Sequence, residues 1–171
     1  MLSKTIEKAL NGQINAEIYS SYLYLAMSAW CESTGLAGFA NWMRMQAQEE
    51  MFHAMKLYGF VHERGGRVFL DGIAAPPNVW KSPLDVIQST LEHEQKVTGL
   101  INGLANLAQD ERDHATTIFL QWFVSEQVEE EANVGAVLDK LKLIGMDTSG
   151  LFVLDQEMAS RVFTPPTTSA K

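Results

Sequence analysis

The chain has 171 residues, one cysteine and a formal charge of −8 from 13 basic and 21 acidic side chains. That length fits one domain of ordinary size, and a lone Cys31 cannot close an internal disulfide, which points to a reducing, cytoplasmic setting. The acidic balance argues against nonspecific nucleic-acid binding, and the sequence has neither a basic-then-apolar leader nor an apolar run of about 18 residues, which argues against secretion and membrane spanning.

Glycine and proline divide the chain into helical runs. The first is expected from about Ser3 to Ser33, and "STGLAG" (33–38) reads as a turn. The second runs from about Leu36 to Glu63. "RGGRVFLDGIAAPPNVWKSP" (64–83) is too rich in Gly and Pro for helix, and is long enough to cross a whole bundle. "SPLD" (82–85) starts a third helix: Ser82 caps, Pro83 suits the first helical position, and Asp85 favours the positive end of the dipole. It runs to about Gln109. "DERD" (110–113) breaks it, and a fourth helix continues to about Leu143. "GMDTSG" (145–150) is a further break, followed by a short fifth helix over 150–160. Residues 1–163 read as a single domain, and "TPPTTSAK" (164–171) reads as a disordered tail. The fold class predicted is an all-α four-helix bundle with a long crossover between helices two and three.

A bundle helix faces its core at a spacing of three and four residues. On helix one that stripe is Ile6, Leu10, Gln13, Glu17, Ser20, Tyr24 and Met27. On helix two it is Met43, Gln46, Glu50, His53, Leu57 and Phe60. Helix three gives Ile87, Leu91, Glu94, Thr98 and Ile101. Helix four gives Leu120, Phe123, Gln127, Glu130, Val134, Leu138 and Leu141. Each stripe is apolar at its ends and polar near its middle, so Glu17, Glu50, His53, Glu94 and Glu130 are predicted to meet at one interior level.

Taken singly, each of these residues has a bland reading as part of a solvated charged face. Together they do not. Four buried carboxylates repel one another and lose hydration worth several kcal/mol each, and no Lys or Arg lies on the inward stripes beside them. Protons or bound cations would relieve this. Four carboxylates with one imidazole and no thiolate suit iron or manganese better than structural zinc, and calcium usually prefers oxygen-only loops.

The order Glu17, "EExxH" (49–53), Glu94 and "EQxEEE" (126–131) resembles the non-haem bacterial ferritins, as do "EIYSSYLY" (17–24), "SAWC" (28–31), "FLQWFVSEQVEEE" (119–131) and "LDKL" (138–141). The resemblance covers nearly the whole chain. It implies a ferritin-like fold and an iron-storage cage of 24 subunits. Fe(II) would be oxidised by O2 or H2O2 at a di-iron ferroxidase centre in each subunit, and ferric mineral stored inside. By position, Glu17, Glu50 and His53 would hold the first iron. Glu50 would bridge to a second held by Glu94 and Glu130. A third site would use Glu49, Glu126 and Glu129, sharing Glu130. Gln127 could donate to a bound oxygen species, and Tyr24 or Trp122 could supply an electron, although both aromatics also suit a bundle core.

Other relatives fit less well. Haem-containing bacterioferritins carry Glu-x-x-His on helix four as well, whereas Gln127-Val128-Glu129-Glu130 has no His. Met51 matches their haem-ligating Met, but an interface Met packing against apolar neighbours is the favoured reading, and haem is not expected. DNA-protecting miniferritins build their site between subunits, and rubrerythrins add a Cys-rich domain. A metal-binding bundle without turnover, like the light chains of animal ferritins, would lack ligands that are present here. The acids of animal ferritin threefold channels correspond to Thr117 and Leu120, so Asp110, Glu111 and Asp113 are candidates for gathering cations near a pore instead.

Overall fold

The computed structural model describes residues 2–166. They form five helices: α1 (Lys4–Ser33), α2 (Ala37–Glu63), α3 (Pro83–Asp110), α4 (His114–Ile144) and α5 (Thr148–Met158). The long helices have 30, 27, 28 and 31 residues, as the punctuation predicts. No strand occurs among the described residues. Residues 164–166 form no regular element, and the rest of the expected tail, 167–171, lies outside the described residues. None of the helices is long and apolar enough to cross a membrane.

The helix starts follow local chemistry. Ser3 accepts from the Ile6 amide, Ser82 from that of Asp85, and Asp113 from that of Thr116, so each satisfies a donor that the first turn leaves free. Asp147 does the same for α5, which therefore begins inside the "GMDTSG" break and not after it. α2 has no such cap of its own, because Leu36 stands at its N-cap. The missing acceptor comes from far along the chain: Asp155 Oδ1 on α5 takes the Phe39 amide at 3.0 Å.

The crossover is held in register by α1. Glu7 accepts from the Arg67 amide, Asn11 bonds both the Arg67 carbonyl and the Phe69 amide, and Asn15 donates to the Asp71 carbonyl. Four residues of helix rise about 6 Å, and two residues of extended chain span about 6.6 Å. One turn of α1 thus matches each pair of crossover residues. The segment is delivered to the far end, where Trp80 is buried against Trp30 and Ser82 starts α3.

α1 packs on α2 and α3 on α4, with α1 also against α3. The core is two apolar clusters. One gathers Met27, Phe39, Met43, Ile87, Val134 and Leu138 near α5. The other gathers Ile6, Leu10, Leu57, Phe60, Ile101 and Leu120 at the opposite end. Between them lies a buried polar layer. Every predicted inward residue of α1, α2 and α4 is buried. On α3 the buried line runs through Thr90 and Val97, while Leu91 and Thr98 are only half-buried.

α5 rests so closely on α2 that a Cβ at Gly38 would collide with the Asp155 backbone carbonyl. Gly38→Ala is expected to push α5 away and cost about 1–3 kcal/mol, the usual range for overpacking. Asp155→Ala should cost about 1–2 kcal/mol through loss of the α2 cap, with Asp155→Asn close to wild type. Thermal unfolding of the metal-free protein checks all three.

Candidate metal centre

The polar layer is built from α1 to α4, and its inner part centres on α2. One turn separates Glu50 from His53, so both face the bundle interior. Ligand atoms of Glu17, Glu50 and His53 lie within 4.8 Å of one another, and all three residues are buried. His53 Nδ1 is 3.4 Å from Glu50 Oε2. This is not an ion pair near neutrality, because burial pulls the imidazole down to about 4. Neither Glu50 oxygen has a hydrogen-bond partner, and neither does Glu17 Oε2. Buried acceptors left in this way are rare in folded proteins and costly.

The other two acids stand beside this group with neutral escorts. Tyr24 donates its hydroxyl to Glu94 Oε1. The Gln127 amide donates to Glu94 Oε2 at 3.2 Å and lies 3.3 Å from Thr98 Oγ1. Gln127 therefore points at Glu94. Gln46 donates to Glu130 Oε2 at 2.8 Å, and Gln13 to Glu17 Oε1 at 2.9 Å. Behind Tyr24, His93 meets its ring edge-on and shares a 2.8 Å hydrogen bond with Ser20.

A second, outer group adjoins the first. Ligand atoms of Glu49, His53 and Glu126 also lie within 4.8 Å of one another. Glu129 is exposed and belongs to neither group. Trp122 meets the His53 ring edge-on with centroids 5.4 Å apart, and Lys56 lies over the Trp122 ring at 4.4 Å. Arg161, from the segment after α5, donates to Glu49 at 2.7 Å. The stripes carry no cation, as expected, yet a cation reaches the site from outside them.

One expectation is corrected. Asp113 is not free to gather cations: both its oxygens are held by Arg64 at 3.1 Å, and it caps α4. Burial is the largest single influence on its carboxyl and raises it, but the hydrogen bonds from Arg64 and Thr116 together hold it below the usual range. The roles of Gln13, Gln46, Ser20 and Arg161 were not read from sequence. For the glutamines a signal existed: each sits on a stripe four residues before a glutamate. Met51 is 41% exposed and faces away from the layer.

Burial is the first cause of the raised carboxyls here. It lifts Glu94 to about 8 and Glu49 to about 7, with the Glu130 charge adding to both. Glu17, Glu126 and Glu130 rise for the same first reason, and Glu50 rises well above its usual value. The folded, metal-free chain therefore holds protons that an unfolded chain, with carboxyls near 4.5, has released. Where the unfolded state binds fewer protons, stability falls as pH rises. His53 and His93, lowered to about 4 from 6.5, act in the opposite sense, but only below about 6.5. Above that, the carboxyls alone decide. The thermal midpoint of the metal-free protein should fall between pH 6.5 and 8, where each proton difference is worth about 1.4 kcal/mol per pH unit. Glu94→Gln should flatten the slope, and saturating Zn(II) should remove it.

The general pattern of the ferritin-like domain matches residues 7–144. The chain is 43% identical over 161 residues to the bacterial non-haem ferritin of Bacteroides fragilis, covering 94% of this chain and 100% of that one. It is 43% identical over 160 residues to a probable bacterial non-haem ferritin-like protein of Haemophilus influenzae, covering 94% and 97%. Among solved structures, the open-pore ferritin of the archaeon Archaeoglobus fulgidus is 52% identical with a TM-score of 0.93, covering 94% of this chain and 98% of that one. A form of the Archaeoglobus fulgidus ferritin engineered to be closed gives 52% identity and a TM-score of 0.95, covering 96% and 100%. A four-helix body with a fifth short helix, a buried carboxylate–histidine layer and likeness along almost its entire length together make this chain a member of the ferritin family.

Proposed function

We propose that the chain is an iron-storage protein that oxidises Fe(II) inside each subunit and keeps the ferric product as mineral within a cage of 24 copies. The observation that carries this reading is Glu50, whose two buried oxygens lack any partner while another acid and a neutral imidazole lie alongside. A carboxylate so placed suits a bridge between two cations, and oxygen-rich donors with one His suit iron.

Fe(II) is the substrate. Glu17, Glu50 and His53 take one ion, and Glu50, Glu94 and Glu130 take the other. Glu49, Glu126 and Glu129, with Glu130, form a third position, and ligand atoms of Glu49 and Glu126 already lie within 4.8 Å of each other there. Each Fe(II) gives one electron. Two electrons and two protons convert O2 to H2O2, or H2O2 to water. The carboxylates favour the more highly charged ferric product. Gln13 and Gln46 fix one oxygen each of Glu17 and Glu130, and so orient the other. Tyr24 orients Glu94 and is the nearest phenol able to give an electron. The two apolar clusters keep bulk water from both ends of the layer. Neither nucleic acid nor membrane enters this reading, and the setting is the reducing cytoplasm.

Fe(II) added in air to the metal-free protein should give ferric absorbance, and iron well above three per chain should co-elute with a very large assembly on a sizing column. Two or three irons per chain on a small species would mean a di-iron protein without storage. Glu50→Ala should slow the first oxidation phase by about a hundredfold or more, since even the outer hydrogen-bond partners of metal ligands are worth about 10–100-fold.

A further inference from the structure

After α5 the chain turns back along α2. Asn41 Nδ2 donates to the carbonyls of Met158, Ala159 and Arg161 at 3.0–3.3 Å. One turn on, Met45 Sδ accepts from the Phe163 amide at 3.3 Å. The next turn of α2 presents Glu49. Arg161 reaches it by laying its guanidinium on the Trp42 ring, 4.5 Å from the centroid, and donating through Nη2. The Phe163 ring packs on Phe52, which also touches His53 and Trp122. Residues 159–163 thus form a strap whose cation ends in the outer group of the centre.

This guanidinium competes with a divalent cation for Glu49. Its bonded oxygen is occupied, and a cation held by Glu49 and Glu126 would sit against a fixed positive charge. We propose that Arg161 is a tethered counter-ion that fills the outer metal position of the empty protein, so that a divalent cation enters there only by displacing it from Glu49. The inference rests on the metal-centre reading above.

Two features make displacement feasible. Arg161 Nη1 is buried without a partner, so the docked guanidinium gives up hydrogen bonding that water would restore. A cleft of about 360 Å³ beside it, lined by Asn133, Lys140, Glu157 and Ser160, offers room to swing out. A divalent ion also brings twice the charge to Glu49 and gains Glu126 as a further ligand. Filling the outer position therefore frees the strap, and the Phe163–Phe52 contact links that release to the rings backing His53.

Titrating the full metal-free protein with Zn(II), which has no redox chemistry, tests this by calorimetry. Wild type should show two tight equivalents and a weaker third. Arg161→Gln should tighten the third by about tenfold, a typical worth for one such charge pair, and leave the first two unchanged. Arg161→Lys, which keeps the charge, should leave the third equivalent as in wild type, and the unchanged first two equivalents show that the Gln variant is folded. Trypsin gives a second readout, since it needs a free guanidinium. Cleavage after Arg161 should accelerate as the third equivalent binds, and should be fast in Glu49→Gln with or without Zn(II). A third equivalent that is unchanged or weaker in Arg161→Gln, with the first two intact, overturns the counter-ion role alone. Fewer than two equivalents in wild type overturns the metal-centre reading and this one with it.

Discussion

The structure is organised around one unfavourable fact: Glu17, Glu50, Glu94 and Glu130 are buried at a single level between two apolar clusters. An unpaired buried charge costs several kcal/mol, and a whole domain is stable by only about 5–15 kcal/mol. Four ionised carboxylates would therefore consume the stability of the fold. The layer exists only if protons or cations neutralise it. Its neutral escorts follow from the same constraint. Gln13, Gln46, Gln127 and Tyr24 donate hydrogen bonds without changing the charge, so each fixes an oxygen while leaving the total negative charge for a cation to answer.

The scaffold delivers the acids to that level by helical register. Glu17 and Tyr24 lie two turns apart on α1, and the same helix measures out the crossover through Glu7, Asn11 and Asn15. Those bonds set where α3 begins, and hence the height at which Glu94 enters the layer. α5 closes the opposite end by supplying Asp155 to the uncapped start of α2, the helix that carries Glu49, Glu50 and His53. The polar layer is thus tied at both ends by contacts that involve none of its own acids.

Much of this was legible in the sequence because helical periodicity is a local code. A stripe can be followed along one helix without knowing its neighbours, and on α1, α2 and α4 every inward position is buried. α3 slipped because alternatives one residue apart, Leu91 against Thr90 and Thr98 against Val97, differ little in hydrophobic pattern; only packing decides between them. What sequence did not show were partners joined across long separations. Arg64 with Asp113 and Arg161 with Glu49 are chance neighbours in the string of letters, and neither arginine sits on a stripe. An acidic tetrapeptide such as "DERD" looks equally free whether or not an arginine from another helix end has taken one of its carboxylates.

The two halves of the layer differ in what a cation must replace. The inner acids are compensated by protons, since burial holds their carboxyls above the usual range and no basic side chain bonds them. Loading the inner position on the proposed reading releases protons, and its affinity follows pH. The outer acids are flanked by side-chain cations: Arg161 bonds Glu49, and the Lys56 charge opposes the rise of Glu126 that burial causes. On the proposed reading, loading there also displaces a charge that is covalently part of the chain, so a conformational change accompanies the release of protons from Glu49 and Glu126. On the proposed reading, the two adjacent positions thus respond to partly different variables. There the inner one responds to acidity, and the outer one also to how firmly residues 159–163 are held along α2.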